Sequence, residues 1–157
     1  MPAVDAMQFL CARQSDTEQM AQTLAATCPQ GMVVYLYGGL GAGKSTFARA
    51  FIHRLGFHGS VKSPTYSLLE AYRLDDGFEA VHMDLYRLSA PEEVDYLALD
   101  EYENNARALL IEWPEKGAGH IPAADIAIHF ITQADGRLLK IEPVSVQAMH
   151  WVSFINN

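Results

Sequence analysis

The chain has 157 residues, of which half are hydrophobic and 19% are charged. This composition is typical of a folded globular protein and excludes a disordered one. The length fits one domain, assigned here to residues 1–157 with a core at about 15–145. Eleven basic and nineteen acidic residues give a formal charge of −8, which excludes a generally basic protein that coats nucleic acid.

Cysteine use and hydropathy predict a cytoplasmic protein without membrane contact. Cys11 and Cys28 form no C-x-x-C motif and have no histidine at metal-ligand spacing beside them, so reduced thiols are expected. The longest apolar run, Met32–Tyr37, is far shorter than the ~20 residues that cross a bilayer. The N-terminus has no basic flank and no apolar stretch of the kind found in leader peptides.

The first third of the chain predicts a strand, a Gly-rich turn and a helix in direct succession. A short strand over 7–14 precedes a helix that the capping box Ser15-Asp16-Thr17-Glu18 opens. Met32–Tyr37 is apolar without alternation, as in a strand covered on both faces. After the Gly-rich turn, the apolar spacing over Thr46–Leu55 predicts a helix that Gly56 ends.

The rest of the chain predicts two hairpins, a short helix and one more buried strand. Asp-Gly dipeptides mark the two hairpin turns. In chain order the elements are a hairpin of Leu68–Leu74 and Phe78–Asp84, a helix from the capping box Ser89–Glu92 through Leu97, a strand Ala108–Glu112 stopped by Trp113-Pro114, and a hairpin of Ile126–Thr132 and Arg137–Val144. We therefore expect an α/β fold of the P-loop NTPase kind, with a mixed β-sheet flanked by helices. No element is predicted for the final thirteen residues.

The Gly-rich turn matches the P-loop pattern G-x-x-x-x-G-K-S/T in full. Its glycines let backbone N–H groups curl around a β-phosphate, and the helix N-terminus that follows favours anions. Lys44 supplies a positive charge for the β- and γ-phosphates, Ser45 a hydroxyl for Mg²⁺, and Thr46 a donor for the α-phosphate. The sequence therefore predicts a nucleoside triphosphate site made of Gly38, Gly39, Leu40, Gly41, Ala42, Gly43, Lys44, Ser45 and Thr46.

Such a site needs a carboxylate that orients Mg²⁺ and its waters at the end of an apolar strand. Glu112 ends the more continuously apolar run, so its strand is the better neighbour for Met32–Tyr37. Asp84 ends a hairpin strand, from which we expect it to face the γ-phosphate from another side. We assign Glu112 to the metal, and Asp84 to a metal-bound water or to the attacking water.

The segment Val61–Tyr66 lies between the P-loop helix and the first hairpin. In P-loop proteins a loop at this point often senses the γ-phosphate. Thr65 or Ser63 is the candidate contact to metal or phosphate, and Lys62 the candidate source of charge. An ordinary polar loop is the alternative at this stage.

Together these features resemble the bacterial TsaE (YjeE) ATPases over roughly residues 15–145. The P-loop alone is common to many proteins, whereas the other three segments are much more specific. The segments that carry the resemblance are Tyr35–Thr46, Val61–Tyr66, His82–Leu88 and Glu112–Pro114.

The resemblance implies a small ATPase that binds ATP and Mg²⁺ and takes part in making threonylcarbamoyladenosine in tRNA. Its implied partners are the TsaD and TsaB proteins, whose transferase complex it would reset or activate, and tRNA would be reached only through that complex. By motif, Ser45, Glu112 and Asp84 are the implied metal ligands, and Lys44, Asp84 and Thr65 the implied catalytic residues. The resemblance also implies that Trp113, Thr17 and Arg137 contact the nucleotide.

The chain departs from the family pattern at two positions of the loop. Gly39 stands where the family usually has Asp or Asn, which removes a polar side chain beside the γ-phosphate. Ser45 replaces the commoner Thr but keeps the hydroxyl. Two other functions remain open at this stage, a small-molecule P-loop kinase and a non-catalytic nucleotide-gated binding module; no Arg-x-x-x-Arg lid pattern typical of the kinases occurs in the sequence.

Overall fold

A computed structural model describes residues 6–155. Most of the N-terminal stretch considered for a leader peptide lies outside the described residues, whereas the strand predicted over 7–14 lies within them and spans Met7–Cys11. Seven strands and four α-helices lie within this range. The strands are β1 Met7–Cys11, β2 Met32–Tyr37, β3 Leu69–Arg73, β4 Glu79–Asp84, β5 Ala106–Glu112, β6 Ile126–Gln133 and β7 Gly136–Pro143. The helices are α1 Gln14–Ala26, α2 Lys44–Leu55, α3 Asp100–Glu103 and α4 Val146–Val152, with 3₁₀ turns at Pro91–Leu97 and Pro114–Gly117.

All seven strands belong to one mixed sheet in the order β1-β7-β6-β2-β5-β4-β3. Its centre is parallel: β2 pairs with β5 and β6, and β5 pairs with β4. The hairpins add antiparallel strands at both edges. The mixed α/β sheet and the pairing of Met32–Tyr37 with the Glu112 strand are both confirmed.

Apolar side chains cover both faces of the central strands, which explains why their sequences do not alternate. Along β5, Ala108 and Leu110 pack in the cluster that contains α1, α2 and α4. Leu109 and Ile111 pack in a second cluster on the opposite face, with the turn at Pro91–Leu97. Burial on both sides removes the requirement for polar residues at every second position.

Both predicted capping boxes are wrong in detail. Helix α1 begins at Gln14, and the side chain of Asp16 accepts the backbone N–H of Arg13 at 3.0 Å, so Ser15 lies inside the helix. At the second box the carboxylate of Glu93 accepts the N–H of Ser89 at 2.7 Å, and the segment that follows is a 3₁₀ turn. In each case the carboxylate of an acidic residue in the first turn, and not the serine hydroxyl, accepts a backbone N–H group at the start of the segment.

Helix α4 lies in the segment for which the sequence predicted nothing. The hydroxyl of Ser145 caps it by accepting the N–H of Ala148 at 3.1 Å. Trp151 is only 1% exposed, and its Nε1 donates to the carbonyl of Leu24 in α1 at 2.9 Å. The C-terminal helix therefore closes the apolar layer beside α1. Within residues 6–155, every helix is too short or too polar to span a lipid bilayer.

Candidate functional site

The carboxyl ends of three parallel strands meet at one edge of the sheet, the usual position for a ligand crevice in α/β folds. The Gly-rich loop leaves β2 here, and Leu36 of β2 pairs with Glu112 at the end of β5. Asp84 at the end of β4 pairs directly with Glu112. The expectation that Asp84 approaches from another side is therefore wrong, because the two carboxylates lie side by side on neighbouring strands.

A cleft of about 550 Å³ opens at this edge. It is lined by most of the predicted nucleotide and metal residues, namely Leu40, Gly41, Ala42, Gly43, Lys44, Ser45, Thr46, Thr65, Asp84, Glu112, Trp113 and Arg137. Gly38 and Gly39 precede this lining in the loop. The sequence motif and the strand-end carboxylates thus converge on a single cavity.

Buried charge is concentrated at the same edge. Among the described residues, five polar or charged side chains are buried, and four of them belong to this edge: Lys44, His82, Asp84 and Glu112. Charged side chains are rarely buried without partners. Such a concentration is typical of a binding or catalytic site.

Lys44 folds back onto the loop that precedes it. Its side chain is 4% exposed, and its ammonium donates to the carbonyl of Gly38 and lies 3.9 Å from the ring centroid of Trp113. Burial lowers the pKa of Lys44, and the carboxylates of Glu112 and Asp84 act in the opposite direction. The cation is therefore held where its charge is poorly solvated, which favours an incoming anion.

Ser45 and Glu112 form a pair of oxygen donors beside Lys44. The Ser45 hydroxyl lies 3.2 Å from each carboxylate oxygen of Glu112, and Glu112 Oε2 also accepts a 2.6 Å hydrogen bond from His82 Nε2. No cluster of three or more His, Cys, Asp or Glu side chains suited to a metal occurs within residues 6–155. These hard donors fit Mg²⁺, which needs only one or two protein ligands because phosphate oxygens and water complete its shell.

Asp84 is 6% exposed and accepts the backbone N–H of Tyr86 at 3.0 Å. Burial raises the pKa of Asp84, and the neighbouring charge of Glu112 acts in the same direction. The Tyr86 amide and the side chains of His82 and Lys44 oppose this rise. A poorly solvated carboxylate that lines the cleft suits a proton acceptor.

Trp113 has a left-handed backbone, with φ at 57°, a conformation that is costly for a residue with a large side chain. Pro114 starts a 3₁₀ turn immediately after it. The indole ring lies 5.1 Å from the ring of Tyr86 and forms one wall of the cleft beside Lys44. The reversal of the chain after Glu112 thus places an aromatic surface next to the buried cation.

The loop Val61–Tyr66 contributes the opposite wall of the cleft. Ser63 and Thr65 both line it, and their hydroxyl groups are 3.2 Å apart. The base of the loop is fixed by Tyr72, whose hydroxyl donates to the carbonyl of Lys62 at 3.1 Å. Lys62 itself is exposed and does not line the cleft.

Arg137 and Thr17 have different positions relative to the cleft. The guanidinium of Arg137 donates to the carbonyl of Gly41 at 3.2 Å and covers the loop at Gly43. Thr17 is fully buried and is not part of the cleft lining, because it lies on the same core-facing side of α1 as Ala21 and Leu24. The structure therefore brings Arg137, but not Thr17, to the Gly-rich loop.

Sequence reasoning missed three residues of this site. Tyr86 and Arg87 line the cleft, and Arg87 also lies 4.7 Å from the ring of Tyr66. His82, 1% exposed, contacts Glu112 from the neighbouring strand. A period-2 reading of β4 would have placed His82 on the same face as Asp84, but the contact with Glu112 depends on a strand pairing that the sequence does not reveal.

Comparisons with known proteins identify the family of the chain. The family model for threonylcarbamoyl adenosine biosynthesis protein TsaE matches residues 11–139. The tRNA threonylcarbamoyladenosine biosynthesis protein TsaE of Haemophilus influenzae is 43% identical over 71% of this chain and 70% of its own. The protein of the same name from Rickettsia bellii is 35% identical over 85% of this chain and 93% of its own.

A solved structure has the same fold. The crystal structure of YdiB from Bacillus subtilis superposes with a TM-score of 0.80 and 26% identity, and the match covers 100% of both chains. The fold, the P-loop cleft and the family match point to the same relationship. The chain belongs to the TsaE family of threonylcarbamoyl adenosine biosynthesis proteins.

Proposed function

We propose that the chain binds and hydrolyses ATP as a subunit of the machinery that makes threonylcarbamoyladenosine in tRNA. The participation in this biosynthesis follows from the family. The proposal of ATP hydrolysis depends above all on the Ser45 hydroxyl lying 3.2 Å from both oxygens of Glu112 at the start of the P-loop helix. This pair presents hard oxygen donors beside a loop that is shaped for phosphates.

Phosphate binding would fall to the loop that lines the cleft. Backbone N–H groups over Gly41–Thr46 supply donors at the start of α2, where the helix dipole favours negative charge. Lys44 would leave the carbonyl of Gly38 and the ring of Trp113 to meet the β- and γ-phosphates. This exchange replaces internal contacts of the ammonium with stronger, charge-assisted ones.

Ser45 and Glu112 would hold Mg²⁺, directly or through water, and bound Mg²⁺ neutralises charge that develops on the phosphate oxygens. Asp84, which lines the cleft, would orient the attacking water or a metal-bound water and accept its proton. Thr65, in the loop that forms the opposite wall, would sense the γ-phosphate.

Turnover by the isolated chain would be slow. Arg87 and Arg137 are the arginines that line the cleft, but each is engaged on the protein itself, Arg87 over the ring of Tyr66 and Arg137 on the carbonyl of Gly41. Hydrolysis without an arginine directed at the transferred phosphoryl group is slow. We propose that binding to a TsaD–TsaB complex raises the rate and that hydrolysis resets or activates this complex.

The formal charge of −8 supports contact with tRNA through protein partners only. An acidic protein is repelled by a phosphate backbone, and non-specific affinity for nucleic acid depends on basic side chains. The TsaD and TsaB proteins would therefore supply the surface that binds tRNA.

Steady-state ATP hydrolysis tests the proposal. We expect measurable turnover in the wild type, its loss in Asp84→Asn, and no change in Asp100→Asn, which removes one exposed carboxylate on α3 outside the cleft. Turnover that survives in Asp84→Asn would contradict hydrolysis at this site. Absence of turnover in the wild type, alone and with TsaD and TsaB, would favour the nucleotide-gated binding module, and phosphorylation of an added small molecule would favour a kinase.

Affinity capture tests the partners. Tagged chain incubated in bacterial lysate with ATP and Mg²⁺ should retain the TsaD and TsaB proteins, and Lys44→Met should retain less of them with ATP present. Capture of neither protein by the wild type, with or without ATP, would contradict the proposed assembly.

A further inference from the structure

His82 is a buried histidine that the proposed chemistry does not use. It is 1% exposed in the middle of β4, on the sheet face that packs against α2. Its Nε2 lies 2.6 Å from Glu112 Oε2, and its Nδ1 has no hydrogen-bond partner among the described residues. A buried polar atom without a partner is costly, and an apolar side chain at this position would avoid the cost.

The strand register explains why this histidine reaches Glu112. His82 pairs with Leu110, and Asp84 pairs with Glu112. Residues two apart on a strand share a face, so the imidazole extends diagonally across the sheet toward Glu112 from the same side as Asp84. Glu112 ends its strand at the cleft and is held there by side chains from α2 and β4.

The two oxygens of Glu112 have different surroundings. Oε2 accepts the short hydrogen bond from His82 and also lies 3.2 Å from the Ser45 hydroxyl, while Oε1 has the Ser45 hydroxyl at 3.2 Å as its one hydrogen-bond donor among the described residues. A carboxylate fixed through one oxygen can rotate little about its terminal torsion. The bond to His82 thereby keeps Oε1 directed at Ser45, the other candidate metal donor.

We propose that His82 is a positioning residue for the metal site: its Nε2–H fixes Oε2 of Glu112 so that Oε1 and the Ser45 hydroxyl converge on one divalent cation. The inference rests on the proposed function of Ser45 and Glu112. Groups that hydrogen-bond to a metal ligand fix its orientation, and their loss typically weakens metal binding about 10- to 100-fold. The unpartnered Nδ1 is consistent with a side chain retained for what its Nε2 does.

The test measures Mn²⁺ binding, by the loss of the free Mn²⁺ signal in electron paramagnetic resonance, with saturating ADP. We expect His82→Leu to weaken Mn²⁺ binding about 10- to 100-fold, while its affinity for ADP in EDTA stays at the wild-type value. His82→Gln, whose amide nitrogen occupies the place of Nε2, should recover most of the loss. His82→Asn, whose amide is too short to reach Glu112, should not.

Val81→Ala is the matched control, because Val81 is a fully buried neighbour on β4 that packs on the opposite face. It should lower stability and leave Mn²⁺ binding unchanged. Equal Mn²⁺ affinity in the wild type and His82→Leu would overturn the inference, as would an equal loss in Val81→Ala. If His82→Leu does not fold, the glutamine and asparagine variants decide the question, and equal affinity in those two would overturn it.

One further outcome separates this inference from the proposed function. A wild-type chain that binds ADP but no Mn²⁺ beside it would contradict the assignment of Ser45 and Glu112, and with it the role of His82. A wild-type chain that binds both, with unaltered affinity in His82→Leu, would contradict the role of His82 alone.

Discussion

Replacing Lys44 by methionine should remove nucleotide binding and leave the fold intact. Methionine keeps most of the apolar stem of a side chain that is 4% exposed and removes only the ammonium. Two contacts are lost, the hydrogen bond to the Gly38 carbonyl and the contact at 3.9 Å with the Trp113 ring. These contribute about 1.5–3 and about 0.5–2 kcal/mol respectively.

The burial of the charge offsets that loss. Desolvation of an ammonium in a protein interior costs several kcal/mol, and the lowered pKa of Lys44 means that burial outweighs the attraction of Glu112 and Asp84. The cation is therefore less stable in the folded chain than in water. We expect the free energy of unfolding of Lys44→Met to stay within about 2 kcal/mol of the wild-type value.

Binding of ATP should respond very differently. Loss of a cation that pairs with phosphate at a desolvated site costs about 2–5 kcal/mol, or more than about 30-fold in affinity. Urea unfolding followed by circular dichroism gives the stability, and isothermal titration calorimetry with Mg²⁺ and ATP gives the affinity. Lys140→Met, in β7 outside the cleft, is the matched control and should change neither quantity greatly.

Two results would refute this reasoning. A loss of stability above about 4 kcal/mol would mean that the ammonium is a structural contact and not a poorly solvated one. Unchanged affinity for ATP in Lys44→Met would mean that the buried cation is not part of the nucleotide site.

Three further predictions concern the loop, a thiol and an indole. Gly43→Ala should destabilise the chain by about 1–2 kcal/mol, because φ at Gly43 is +106° and a Cβ would lie 3.1 Å from the guanidinium nitrogen Nε of Arg137. Gly39→Ala has open space around it and should be neutral or stabilise the chain by up to about 1 kcal/mol. Urea unfolding measures the stability of both variants. Burial raises the pKa of the Cys28 thiol to about 12 from its ordinary 9.0. The stability that the buried thiol contributes is therefore complete below about pH 9, and above pH 9 it is lost at about 1.4 kcal/mol per pH unit. Urea unfolding at pH 8 and pH 10 measures this loss. ADP should change the fluorescence of the wild type but not of Trp113→Phe, because the remaining Trp151 is 1% exposed in the core.

Each of these has its own control. Equal stabilities of the two alanine variants would contradict the backbone argument for the loop. Cys28→Ala should lose about 1.4 kcal/mol less stability than the wild type between pH 8 and pH 10, and an equal loss would assign the alkaline sensitivity to other groups. An ADP response that persists in Trp113→Phe would place the reporting group elsewhere.

The sequence predicted the parts of the site that are local in the chain. The P-loop is one continuous segment, so its residue types and its flanking strand and helix are legible together, and Met32–Tyr37 is a strand with the predicted bounds. The apolar run that ends at Glu112 also identified the correct neighbouring strand, since only doubly covered strands are so continuously apolar.

The parts that depend on pairing between distant segments were not predicted. The side-by-side position of Asp84 and Glu112 is set by the register of β4 against β5, and period-2 patterns on doubly buried strands do not fix a register. The bond from His82 to Glu112 depends on the same register. Thr17 stays away from the cleft for a local reason, because it shares the buried face of α1 with Ala21 and Leu24.

The indole bond from Trp151 to Leu24 joins positions 127 residues apart in the chain. The stretch matched by the family model stops at residue 139, ahead of the helix that carries this tryptophan. The family model therefore covers the residues of the candidate site but not the whole folding unit, whereas the match to the YdiB structure extends over the full chain. A chain shortened at residue 139 would lose the end of β7 and all of α4. It would expose the side of α1 that Trp151 covers and remove apolar side chains from the cluster that also contains α2.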